Sequence, residues 1–148
     1  MGAARGVVHH IELWVPDLDR ATQQWAWLLG ELGYSPFQNW AAGRSWRAGD
    51  TYLVIEESSD MLTGTHDRLR PGLNHLAFHA GDRTHVDTLS AAAPGHGWTL
   101  LFPQAHPYAG GPDHYAVYLA NTDGYEVELV ADDPQPTPNR STAGREDC

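Results

Sequence analysis

Two short stretches of the chain alternate apolar and polar residues and begin and end alike. In "HIELWVPD", His10 to Asp17, the residues Ile11, Leu13 and Val15 share one face of an extended strand, leaving His10, Glu12 and Trp14 on the other. "HLAFHAGD", His75 to Asp82, repeats the plan, with Leu76, Phe78 and Ala80 on one face and His75, Ala77 and His79 opposite. Helical spacing follows each stretch. Ala21, Trp25, Leu28, Leu29 and Leu32 recur at that period in the first, with Asp17 or Asp19 as the cap and Gly33 as the stop. Val86, Leu89 and Ala93 do the same in the second, up to a break at Pro94-Gly95.

Strand patterns complete both halves. "SWRAGDTYLVIEE" supplies them in the first half. "WTLLF", "HYAVYLA" and "GYEVELV" supply them in the second, the last two joined by a turn at Asn121-Thr122-Asp123-Gly124. The pattern predicts an α+β fold of two tandem βαβββ modules in one domain over residues 1–131. Module one spans about 7–58 and module two about 73–131, with a linker, or a loop closing over a site, at about 60–72. Residues 132–148 carry three prolines and no aromatic residue, which predicts a disordered tail.

Composition narrows the functional classes. Nineteen acidic residues against nine basic ones give a formal charge of −10, which opposes binding to nucleic acid or anionic lipid. No apolar run is long enough to span a bilayer, and "MGAARGVV" lacks the apolar core of a secretory signal, so no membrane partner and a cytoplasmic setting are expected. The one cysteine, Cys148, leaves no thiolate cluster, so any metal must be held by nitrogen and oxygen donors.

Histidines and carboxylates are placed to supply such donors. His10 and His75 both lie on the face turned away from their module's helix, while successive strand residues face opposite ways and put His9 on the other side. Glu56 shares a face with Tyr52 and Val54, and Glu128 shares one with Glu126 and Val130. If the modules pair, two histidines and two carboxylates converge, a ligand set suited to one divalent Zn, Ni, Fe, Co or Mn ion. Glu12, Trp14, His79, His114 and Tyr118 are the candidate substrate contacts around it. "YAGGPDH", residues 108–114, reads as a flexible loop near the mouth of the site.

"HHIELWVPDLDRA", "NHLAFHAGD" and "YLANTDGYEVELV" together resemble the vicinal oxygen chelate superfamily, which groups glyoxalases, bleomycin resistance proteins and extradiol dioxygenases, over about residues 7–131. The resemblance implies paired βαβββ modules whose curled mixed sheet surrounds a metal-binding cavity. It carries the glyoxalase I ligand pattern onto His10, Glu56, His75 and Glu128, with Glu128 also the general base. The activity implied is isomerase, lyase or epimerase chemistry on a small substrate chelating through neighbouring oxygens. A ring-cleaving Fe(II) dioxygenase using His10, His75 and Glu128 is the alternative, and a metal-free drug-binding resistance protein is a third. The family also suggests a homodimer.

Overall fold

Each helix begins at an aspartate three residues beyond the end of the preceding strand. The structure, a computed structural model, describes residues 2–132. Asp17 accepts a hydrogen bond from the Arg20 amide and starts helix α1 (Leu18–Glu31). Asp82 accepts one from the His85 amide and starts α2 (Arg83–Ala92). In both cases a short carboxylate satisfies an amide that the first helical turn leaves unpaired. α2 does not stop at Pro94 but tightens into one 3-10 turn, Ala93–His96, where proline sits at the start and lacks the N–H that it would otherwise waste.

Eight strands complete the two modules. In module one they are β1 (His10–Trp14), β2 (Ser35–Trp40), β3 (Gly43–Ala48) and β4 (Thr51–Glu56), forming a sheet in the order β1-β4-β3-β2. In module two β5 (Leu76–His79), β6 (Trp98–Leu100), β7 (Ala116–Asn121) and β8 (Glu126–Val130) repeat that order as β5-β8-β7-β6. The first and last strands of each module are parallel and the remaining pairs antiparallel. The α+β reading and the two mixed sheets therefore agree with the sequence pattern, each module building its own four-stranded sheet. Among the described residues no helix is long and apolar enough to cross a membrane.

The core runs across the junction of the modules. Trp25 of α1 meets Trp98 of β6 edge to face, with ring centroids 5.1 Å apart, and both are fully buried. The Trp98 indole N–H donates to the Gln24 carbonyl at 3.1 Å. Two aromatic side chains of this size contribute roughly 1.5–3 kcal/mol each through burial. Polar contacts repeat the connection at the β7–β8 turn, where Gln24 donates to Thr122 at 2.8 Å, Arg20 pairs with the fully buried Asp123, and the Tyr125 hydroxyl donates to the Trp14 carbonyl.

Segment 60–72 folds against that same turn. The His66 amide donates to the Asp123 carbonyl at 2.9 Å, and the His66 ring stacks on Tyr125 at 4.5 Å. Gly124 allows this approach, since it has a φ of +88° and a Cβ there would lie 2.2 Å from the His66 carbonyl oxygen. Gly33 also has a positive φ, +87°, but has open space around it. Urea denaturation should therefore separate the two: Gly33→Ala is expected to cost about 1 kcal/mol of left-handed strain, and Gly124→Ala clearly more, because backbone atoms must also move apart.

Candidate functional site

The site is built around Glu128, in the middle of β8. Cross-strand register sets Ala77 of β5 on one side of it and Tyr118 of β7 on the other. Residues level with one another on neighbouring strands share a face, so Tyr118 stands beside the carboxylate. Its hydroxyl donates to Glu128 Oε1 at 2.9 Å. His114, from the loop before β7, brings Nε2 to the same oxygen. His75, immediately before β5, places Nε2 3.1 Å from Oε2.

Glu128 is only 6% exposed, and a carboxylate so buried needs such neighbours to stay ionised. Burial pushes its pKa up, but hydrogen bonds from His114 and Tyr118, with the charges of His114 and His75, outweigh burial and hold it below the usual value. Tyr118 moves the opposite way. Burial, followed by the hydrogen bond to and charge of Glu128, pushes the phenol up to about 12, so it remains a donor at neutral pH.

Residues with no strand or helix periodicity complete the surroundings. Gly110 lies so close that a Cβ there would be 2.5 Å from His114 Cδ2 and 2.7 Å from the Tyr118 hydroxyl. The loop 108–114 is thus packed onto the site rather than merely near its mouth. Phe102 meets Tyr118 edge-on at 5.6 Å, and the Arg68 guanidinium sits 5.8 Å from the Phe102 centroid while pairing with buried Glu126 at 3.0 Å. On the far side of the His75 ring, Nδ1 lies 2.7 Å from Asn74 Oδ1, and Asn74 Nδ2 donates to the Arg68 carbonyl at 3.0 Å. Sequence pattern alone gave no sign of Arg68 or Phe102. For Asn74, the one available signal was its position next to a candidate histidine.

Module one holds its candidates differently. His10 is exposed, stacks on Tyr52 at 4.9 Å and has its Nδ1 2.8 Å from that of His9. The expectation that His9 faces away from His10 fails because His9 precedes β1 and is not bound by strand alternation. Glu12 accepts the Trp14 indole N–H at 3.0 Å, and Trp14 is 40% exposed. His79 shares the face of Glu128 but turns to Asp132, at 2.6 Å, with 90% of its side chain exposed.

Register also separates Glu56 from the position expected of it. Leu76 pairs with Val127 and Ala77 with Glu128, so Glu128 lies two residues beyond the level of His75. In module one His10 pairs with Tyr52, and two residues beyond that level is Val54, 4% exposed. Glu56 instead lies opposite Trp14, four residues from the level of His10, or roughly 13 Å along the strand. The counterpart of Glu128 in module one is a valine.

His75 and Glu128 in module two are donors of the kind that divalent ions take. Nitrogen and oxygen ligands stand about 2.0–2.2 Å from such an ion, which puts neighbouring ligands about 3–3.5 Å apart between octahedral and tetrahedral angles. The 3.1 Å between His75 Nε2 and Glu128 Oε2 matches that spacing. Among the described residues, however, no three or more His, Cys, Asp or Glu side chains close on a common point within the single chain.

A family model described as the Glyoxalase/Bleomycin resistance protein/Dioxygenase superfamily matches residues 9–118. The chain belongs to this superfamily. Among its relatives, Bacillus subtilis YqjT is 44% identical over 125 residues, covering 84% of this chain and 98% of that protein. The crystal structure of a candidate glyoxalase from Bacillus halodurans shares 45% identity at a TM-score of 0.82, covering 86% of this chain and 96% of that one. More distant superfamily structures show the same fold. They include the fosfomycin resistance protein FosX of Listeria monocytogenes, complexed with Mn(II) and dihydroxypropylphosphonic acid, at 18% identity and a TM-score of 0.58 over 86% of this chain and 91% of that one. Lactoylglutathione lyase of Agrobacterium tumefaciens, at 19% and 0.59 over 88% and 96%, is another.

The depressed pKa of Glu128 has a definite sign for stability. Its ionised form stabilises the fold above the ordinary carboxylate range, and that contribution disappears as pH falls through the lowered folded value. His114→Ala removes a donor, so the Glu128 pKa should rise. Unfolding of the metal-free variant followed against pH should show a loss of about 1 kcal/mol at neutral pH and a decline that begins at higher pH than in the wild type.

Proposed function

We propose that this superfamily member is a divalent-metal-dependent enzyme acting on a small substrate that chelates through two neighbouring oxygens. One observation carries the reading: the buried, ionised Glu128 faces His75 Nε2 at the separation of adjacent metal ligands, beside a hydroxyl held protonated. His75 and Glu128 form the core of the ligand set and His10 is its third member. Val54 at the counterpart position favours this set of two histidines and one carboxylate over four ligands that include Glu56. The ion, when bound, supplies Lewis-acid stabilisation of negative charge developing on a substrate oxygen.

The chain's own groups divide the remaining work. Glu128 Oε2 faces His75 and serves ligation, and the lowered pKa keeps the carboxylate ionised before a substrate arrives. Oε1 is the atom at which a substrate proton is received once Tyr118 turns its O–H away, and the His114 contact holds that oxygen in place. Tyr118 can turn its O–H from Glu128 to an oxygen of the substrate as charge builds there. Glu12 and Trp14, joined to each other on the open face of module one, are the proposed substrate contacts from that side.

His10 touches His9 and Tyr52 rather than the Glu128 group, and the face around it is open, with Trp14 exposed, as are Phe37 and Trp40 on the edge strand β2. This supports a homodimer in which His10 reaches the site from the second copy. A ligand set of two histidines and one carboxylate is also the arrangement of non-haem Fe(II) oxygenases, which keeps ring-cleaving dioxygenase chemistry as the second reading.

Metal analysis after reconstitution is expected to find one divalent ion per chain. His75→Ala and Glu128→Gln should abolish binding, while Glu56→Gln should leave the affinity within about twofold, since Glu56 is off the level of the site. Metal-free wild-type protein after reconstitution would sink the reading. Full turnover without oxygen would remove the dioxygenase alternative. Mixing inactive His10→Ala and His75→Ala proteins should restore part of the metal binding if sites form across two chains; no recovery would assign His10 to its own chain's site.

A further inference from the structure

We propose that Asn74 is a positioning residue that holds His75 in the tautomer with its proton on Nδ1, leaving the Nε2 lone pair aimed at Glu128. The inference rests on the metal-dependent reading of the site, but its premises are hydrogen-bond directions. Asn74 Nδ2 lies 3.0 Å from the Arg68 carbonyl oxygen. A carbonyl only accepts, so the amide nitrogen must be on that side, and Oδ1 must face His75. Oδ1 lies 2.7 Å from His75 Nδ1 and also only accepts, so Nδ1 must carry a hydrogen. A neutral imidazole has one N–H, which leaves Nε2 bare.

Bare Nε2 then confronts Glu128 Oε2 at 3.1 Å, two acceptors turned towards each other. Such a pair in the neutral ring repels until a proton or a metal cation lies between them. The opposite tautomer would let Nε2–H donate to Glu128 and would suit a purely structural histidine better. The network therefore holds the ring in the form that a metal requires. This agrees with the general pattern in which a ligating histidine donates its other N–H to a fixed acceptor. Arg68 anchors the relay, because its carbonyl orients Asn74 while its guanidinium is tied to buried Glu126 and lies against Phe102. Segment 60–72 thus acts on the site through the direction of one amide.

The test uses metal-free, 15N-labelled full-length protein, with pH raised until the His75 ring signals stop shifting, and reads the tautomer from long-range 1H–15N correlations. The wild type is expected to show Nδ1–H. Asn74→Leu should move His75 to Nε2–H and weaken Zn²⁺ binding by about tenfold or more. Asn74→Asp, which keeps an acceptor, should retain Nδ1–H and most of the affinity, with thermal melts verifying that both variants fold. Nε2–H in the wild type, or an unchanged tautomer in Asn74→Leu, would overturn the proposal. Failure of Zn²⁺ to bind the wild type would instead overturn the metal reading, while the tautomer spectra alone would still decide the role of Asn74.

Discussion

An ionised carboxylate placed in the middle of a strand buried along nearly its whole length has to be met by donors, and the second module is organised around that requirement. β8 buries Glu126 and Glu128 along with Val127 and Leu129. Each acid draws in groups from distant parts of the chain: Arg68 reaches Glu126, and His75, His114 and Tyr118 reach Glu128. Loop 108–114 and segment 60–72 owe part of their paths to these contacts. Leaving either acid unpaired would cost several kcal/mol, comparable with the net stability of a small domain.

Local features were the most legible in the sequence. Asp17 caps α1, one of the two caps the pattern offered, because capping depends on a side chain and an amide three residues on; Asp82 does the same for α2. The alternation around His10 and His75 gave the correct face for each strand, and the repeat gave the common topology of the two sheets. His75, Glu128, His114 and Tyr118, all named from the sequence, come together in the structure. What the pattern could not supply was how one strand slides along another. Glu56 has the right face but the wrong level, and only pairing of β1 with β4 distinguishes it from Val54.

Residues outside periodic segments were not legible for a related reason. Arg68 and Asn74 act through a backbone carbonyl and an amide whose directions depend on a folded linker. His79 was read onto the face it occupies, yet its ring is drawn to Asp132, a residue just past the last strand. Alternation assigns a side to a residue, whereas the available partners decide where its side chain ends up.

The Trp25–Trp98 contact bears on how such a chain could have arisen. The two halves share a topology, and so could descend from a single half-length unit. Yet each half contributes one fully buried tryptophan to the other's core, and Gln24 and Arg20 of the first half satisfy polar groups in the last turn of the second. A lone half would present this indole surface to water. An ancestral unit of half this length would therefore have needed a twin at its helix face before fusion made that twin part of the same polypeptide.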